Sequence, residues 1–122
     1  MPLDATDKTR LADMLHYAGI AQRIVADRTW EAFETDEAVR LAAVRCVEVI
    51  GETVHQVSVE VQRSMPTIPW HLMWNMSNRL IHDYGNTDFR IVYKVILESL
   101  PSLIATITTF LAQQGHTPSL LK

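Results

Sequence analysis

The sequence predicts an all-α chain folded as an antiparallel up-and-down bundle of four main helices, with room for a short extra helix between the first two and a kink in the last. Three observations lead there: apolar residues recur at spacings of three and four over long segments, no segment alternates apolar and polar residues, and the connections are short. At 122 residues, 48% of them apolar, the chain suits one domain over 1–122, because two domains would each be too small to bury a core. Only the tail from about residue 115, beginning Gly-His-Thr-Pro, reads as loosely held.

The first helix is expected from about Asp7 to Asp27, where Leu11, Met14, Leu15, Ala18, Ala21 and Val25 draw one apolar stripe. A smaller row, Tyr17, Ile20 and Ile24, lies on its other side and is the kind of surface a second subunit covers. Trp30 and Phe33 occupy the next connection. Thr35 or Asp36 then suits the cap of a long second helix reaching about Arg63, with Val39, Ala43, Cys46, Ile50, Val54, Val57 and Val61 as its stripe. Periodicity outweighs the poor helix propensity of so many valines. Cys46 lies mid-stripe and reads as a small buried hydrophobe. Gly51 costs about 1 kcal/mol relative to alanine in a helix interior, and close approach of another backbone would account for it. Opposite the stripe, Arg45, Glu48 and Glu52 stand three and four apart, the spacing of a salt-bridged face.

Pro66 and Pro69 end that helix and start a third over Pro69 to Tyr84, because proline is tolerated at the first helical position. Gly85, Asn86 and Thr87 make a turn, and Asp88 caps a fourth helix to about Gln114. Its stripe is Phe89, Val92, Ile96, Leu100, Leu103, Ile107, Phe110 and Leu111. Pro101 cannot donate to the carbonyl of Leu97, so a kink is expected there within one continuous helix.

Composition narrows the function. A net charge of −3, from 11 basic and 14 acidic side chains, excludes a polybasic nucleic-acid binder, so any RNA contact must come from a local patch. The lone cysteine forms no internal disulfide, and MPLDATDKTR lacks the pattern of a signal peptide, so a cytoplasmic protein is expected. The most apolar stretch, Leu103 to Ala112, is short of the ~18 residues that span a bilayer, so no membrane partner is expected. His16, His55, His71, His82 and His116 form no metal pattern, and no phosphate loop, nucleophile elbow or dinucleotide fingerprint is present. Neither a metal nor a cofactor is expected.

The end of the third helix is unusually polar. Asn78 and His82, four apart, share a face, and Arg79 with Asp83 has the spacing of a surface ion pair. Histidine is the side chain suited to pass a proton near neutral pH, and a neighbouring amide can orient it.

Ile68-Pro69-Trp70, then Asn78-Arg79-Leu80-Ile81-His82-Asp83-Tyr84, then Asp88 and Ile91-Val92-Tyr93, resemble the HepT-like toxins of the HEPN superfamily. Arg45-Cys46-Val47-Glu48-Val49-Ile50-Gly51-Glu52 resembles that family's long-helix signature. The likeness runs from the first helix to the end of the fourth. It implies a homodimer in which the R-x-x-x-x-H motifs of two subunits meet and form a metal-independent endoribonuclease site. It also implies a toxin of a type II or type VII toxin–antitoxin pair, neutralised by an MntA-type nucleotidyltransferase antitoxin that adenylylates a tyrosine. Carried onto this chain, the resemblance makes His82 the motif histidine, Asn78 the motif asparagine and Tyr84 the modified tyrosine.

One position departs from the pattern: Ser77 stands where the motif has its arginine. Arg79 is no simple substitute, since two steps along a helix rotate a side chain by about 200°. Cleavage by the 2′-hydroxyl needs proton transfer and a cation at the phosphate, and losing one preorganised donor costs about 10²–10³ in rate. Reduced activity is therefore expected, with RNA held by a basic rim of Arg79, Arg90 and Lys94. A different reading is a non-catalytic protein that keeps the bundle and binds the nucleotidyltransferase, a role in which the cation is dispensable. A helical bundle binding a small ligand is a third, resting on fold class alone.

Overall fold

The computed structural model describes residues 3–82 and 87–115; the expectations placed on Asp83, Tyr84, Gly85, Asn86 and the tail from His116 lie outside them. Among the described residues there are seven helices and no strand: α1 Ala5–Val25, α2 Trp30–Thr35, α3 Glu37–Val54, α4 Val59–Ser64, α5 Trp70–His82, α6 Phe89–Glu98 and α7 Leu100–Gln113. Helix α1 packs against α3, α6 and α7, and α3 is also covered by α5, so α3 sits at the centre of the bundle. Its buried residues Ala43, Cys46, Ile50 and Val54 carry the stripe read from the sequence, with Val44 and Val47 buried beside them, and in α1 Leu11, Met14, Leu15, Ala18, Ala21 and Val25 carry theirs. Tyr17, Ile20 and Ile24 pack, half-buried, against this core.

The helix starts follow the side chains that can accept their free N–H groups. Asp36 accepts from Val39 N at 3.2 Å, and Asp88 accepts from Arg90 N at 3.0 Å. The short extra helix is α2, capped by Thr29, whose hydroxyl accepts from Ala32 N at 3.1 Å. It delivers Phe33, fully buried, and Trp30 against Tyr93 of α6, with ring centroids 5.0 and 5.6 Å from the tyrosine.

Two expectations are corrected. The second helix does not run unbroken to Arg63: α3 ends at Val54 and α4 begins after Ser58, which has extended backbone (φ −61°, ψ 152°). The buried Asp7 carboxylate accepts from both Ser58 N and Ser58 Oγ, each at 2.8 Å, and so holds the break against the start of α1. Gln62 Nε2 donates to the carbonyls of Val54 and Val57, at 3.2 and 3.0 Å, covering acceptors left open at the break. Val57 and Val61 remain buried, which is why the stripe reads as continuous across it.

The second correction concerns the last helix. Instead of one helix kinked at Pro101, α6 and α7 are separate, divided at Ser99 and bent by 43°. Pro101 sits in the first turn of α7, where its missing N–H is harmless, so the ladder yields just before it. The bend wraps Val92, Ile96, Leu100, Leu103, Ile107 and Leu111 around the core. Among the described residues no single helix is long and apolar enough to cross a membrane.

Candidate active site

The seam between α3 and α5 positions the polar helix end, and two small residues make it tight. A Cβ on Gly51 would lie 2.1 Å from Ser77 Cβ and 2.9 Å from the Met73 carbonyl oxygen. Backbone approach of this kind is the reason for the glycine that the sequence raised. Ser77 is completely buried, and its Oγ donates to the Glu48 carbonyl at 2.9 Å. Further along the seam, His55 of α3 stacks on Trp74 of α5 with centroids 4.2 Å apart and planes 19° from parallel. The two helices are therefore antiparallel, with Gly51 level with Ser77 and His55 level with Trp74.

Among the residues singled out for chemistry, Ser77 belongs to this packing and presents no surface to a substrate. Asn78, the next residue, is exposed. His82 is the last residue of α5, one turn beyond Asn78. Arg79 is exposed on another side of α5, where with Met76, Leu80, Asp88 and Ile91 it lines a shallow pocket of ≈ 90 Å³. Arg90 is drawn away from that pocket: its guanidinium lies over the Trp30 ring, 4.9 Å from the centroid. Lys94 is exposed on α6, one turn beyond Arg90. The expected basic rim is thus divided, with Arg79 at the α5–α6 corner and Arg90 turned toward α2.

On α3 the sequence spacing becomes an ion-pair group. Arg45 Nη1 lies 4.0 Å from Glu48 Oε2 and 3.8 Å from Glu52 Oε1. The Glu48 side chain is only 18% exposed against 64% for Arg45. Burial pushes the Glu48 carboxyl above the usual glutamate range; the Arg45 charge opposes the rise and the Glu52 charge adds to it. Reading the sequence as an exposed face missed that enclosure, which depends on how closely α5 lies against α3. Its one signal was Gly51, three residues from Glu48. On the other flank of α5 an apolar cleft of ≈ 210 Å³ opens toward the α6–α7 bend, lined by Val47, Gly51, Leu72, Met73, Met76 and Leu103 among others. Among the described residues no group of three or more His, Cys, Asp or Glu could hold a metal ion.

The family described as "Ribonuclease HepT-like" matches residues 14–110, from mid-α1 to near the end of α7, and so takes in the whole α3–α5 seam. The chain belongs to the HepT-like ribonuclease family. A protein of Thermococcus cleftensis named "Probable ribonuclease HepT" is 31% identical over 96 residues, covering 79% of this chain and 87% of the relative. Two proteins of Methanocaldococcus jannaschii, each named "Putative RNase", are 30% identical over 96 residues, covering 79% of this chain and 83% and 79% of their own lengths. No solved structure matches the chain significantly. In this HepT-like protein the match takes in α5, on which Asn78 and Arg79 are exposed and Ser77 is buried.

Proposed function

We propose that this HepT-like protein is the toxin of a toxin–antitoxin pair and cleaves RNA by attack of the ribose 2′-hydroxyl, without a metal, at a rate lowered by Ser77. The observation that carries this reading is the exposure of Asn78 at the end of α5, one turn before His82, within the family match over residues 14–110. His82 moves the proton and Asn78 contacts or orients at the phosphate. The active form is a homodimer in which the ends of α5 from two copies face one groove. Ile91, beside Arg79 and Leu80 at the α5–α6 corner, is 50% exposed, an apolar side chain that such a pairing would cover. An MntA-type nucleotidyltransferase is the antitoxin, and Tyr84 accepts its adenylyl group.

The test is cleavage of single-stranded RNA by this chain and by Ser77→Arg, each with and without His82→Ala, with helical circular dichroism checking that each variant folds, since position 77 is buried in the seam. The reading expects cleavage that rises about 10²-fold or more with the arginine and disappears with the histidine. Absence of any His82-dependent cleavage refutes it. A burial finding favours one alternative, the non-catalytic protein that binds the nucleotidyltransferase: the side chain in the arginine's place is sealed in the seam and offers no charge. Mass spectrometry after incubation with the nucleotidyltransferase and ATP bears on Tyr84 under either reading, and an unmodified chain removes its acceptor role.

A further inference from the structure

We propose that α3 supplies two catalytic residues to the RNA-cleavage site, Glu48 as acceptor of the 2′-hydroxyl proton and Arg45 as the cation at the phosphate. This inference rests on the RNase reading above and extends it to residues outside the R-x-x-x-x-H motif.

The α3–α5 pair has two distinct flanks. His55 stacked on Trp74 marks one, while Val47 and Gly51 with Met73 and Met76 line the cleft on the other. Glu48 precedes His55 by two helical turns and shares its side of α3; Asn78 follows Trp74 by one turn and shares its side of α5. Glu48 and Asn78 therefore stand on the same flank. Gly51 is level with Ser77, so Glu48, three residues earlier on the antiparallel α3, stands level with the last turn of α5, within a turn of Asn78. Arg45, one turn before Glu48, stands level with the end of α5 at His82.

The chemistry of the two side chains fits those places. Glu48 is more enclosed than its neighbour, its side chain 18% exposed where Glu52 is 40% exposed. Burial raises its hold on a proton, which brings a carboxylate closer to the working range of a general base. Among the described residues, the charged and titratable groups on this flank are Arg45, Glu52 and His55 of α3 and His71 of α5. Arg45 is 64% exposed and its carboxylate partners lie at 3.8 and 4.0 Å, a loose surface pairing that an incoming phosphate can displace. Its planar fork matches two phosphate oxygens. It thus offers from α3 the charge that Ser77 does not offer from α5.

The step balances without a further reactant. Glu48 takes the 2′-hydroxyl proton as the 2′-oxygen bonds to phosphorus, the bond from phosphorus to the 5′-oxygen breaks, and that oxygen takes a proton from the His82 imidazolium. The products are a 2′,3′-cyclic phosphate and a 5′-hydroxyl, and water returns the proton from Glu48 to His82.

The test measures cleavage rate against pH for Glu48→Gln, Glu48→Asp, Arg45→Gln and His82→Ala, each in this chain and in the Ser77→Arg chain, with binding of uncleavable 2′-O-methyl RNA alongside. Glu48→Gln is expected to lower the rate about 10²–10³-fold and to abolish the acid limb of the profile, while RNA binding holds or tightens. Glu48→Asp is expected to keep an acid limb at a reduced rate. Arg45→Gln is expected to lose about 10²-fold in rate and to weaken binding. If cleavage depends on His82 but Glu48→Gln keeps both its rate and its acid limb, the inference is overturned and the RNase reading stands. If neither background shows His82-dependent cleavage, both fall.

Discussion

Replacing Gly51 with alanine tests the α3–α5 seam directly. The new Cβ would lie 2.1 Å from Ser77 Cβ, 2.7 Å from Ser77 Oγ and 2.9 Å from the Met73 carbonyl oxygen. Carbon atoms rest at about 3.5–4.0 Å, so relieving the first contact requires well over an ångström of movement. The third contact is to backbone and cannot be relieved by a rotamer change. Overpacking of this kind costs about 1–3 kcal/mol, and here the upper end applies because two helices must part. Alanine recovers about 1 kcal/mol through its better helix propensity. The expected balance is a loss of about 2 kcal/mol, which at a urea slope of about 1–3 kcal/mol/M lowers the unfolding midpoint by roughly 1 M. Helical circular dichroism during urea titration measures it. Adding Ser77→Gly removes two of the three contacts but leaves Met73, so the double variant should recover part of the loss, a coupling of about 0.5–2 kcal/mol. A Gly51→Ala chain more stable than the parent, with propensity alone deciding, would refute the reading of the seam.

Three further outcomes are expected from the same geometry. Asp7→Ala removes both acceptors from Ser58 and is expected to destabilise by about 1–3 kcal/mol; Ser58→Ala keeps the N–H bond and should cost less, both read by thermal melting. The Cys46 thiol is 5% exposed and burial raises its pKa, an effect that the Arg23 charge only partly opposes, so it should resist a thiol reagent in the folded chain and react once urea unfolds it. Because the carboxyl of Glu48 holds its proton more tightly folded than unfolded, the folded chain carries the extra proton between the ordinary value of 4.5 and the raised one. Stability therefore declines as pH rises through that window, and Glu48→Gln should remove that part of the slope in unfolding free energy against pH.

Much of the fold was open to a reader of the residues. Stripes with a period near 3.6 picked out the buried apolar residues of α1 and α7 and, in α3, Ala43, Cys46, Ile50 and Val54 but not Val44 or Val47; Asp36 and Asp88 marked helix starts, because both signals arise within a few residues of chain. The break at 55–58 escaped the same reading. Ser58 is a good cap, but what decides that it caps is the carboxylate of Asp7, 51 residues earlier in the chain. The division at Ser99 was half legible: Pro101 announced a disturbance, and the packing of Leu100 and Leu103 on the core set which residue yields.

At the site, residue types and order were legible and enclosure was not. That Ser77, Asn78 and His82 share one helix could be read from the residues alone, since it needs only the periodicity of that helix. That Ser77 is sealed, that Arg90 turns toward Trp30 away from Arg79, and that Glu48 is shielded where Glu52 is more open depend on which helix lies against which. Local pattern is written by neighbours a turn or two apart, whereas burial and proton affinity are set by atoms brought close from distant parts of the chain. Gly51 stands between the two: its oddity in a helix was visible in the string of residues, and its reason, the backbone of α5 pressed against α3, came only with the folded bundle.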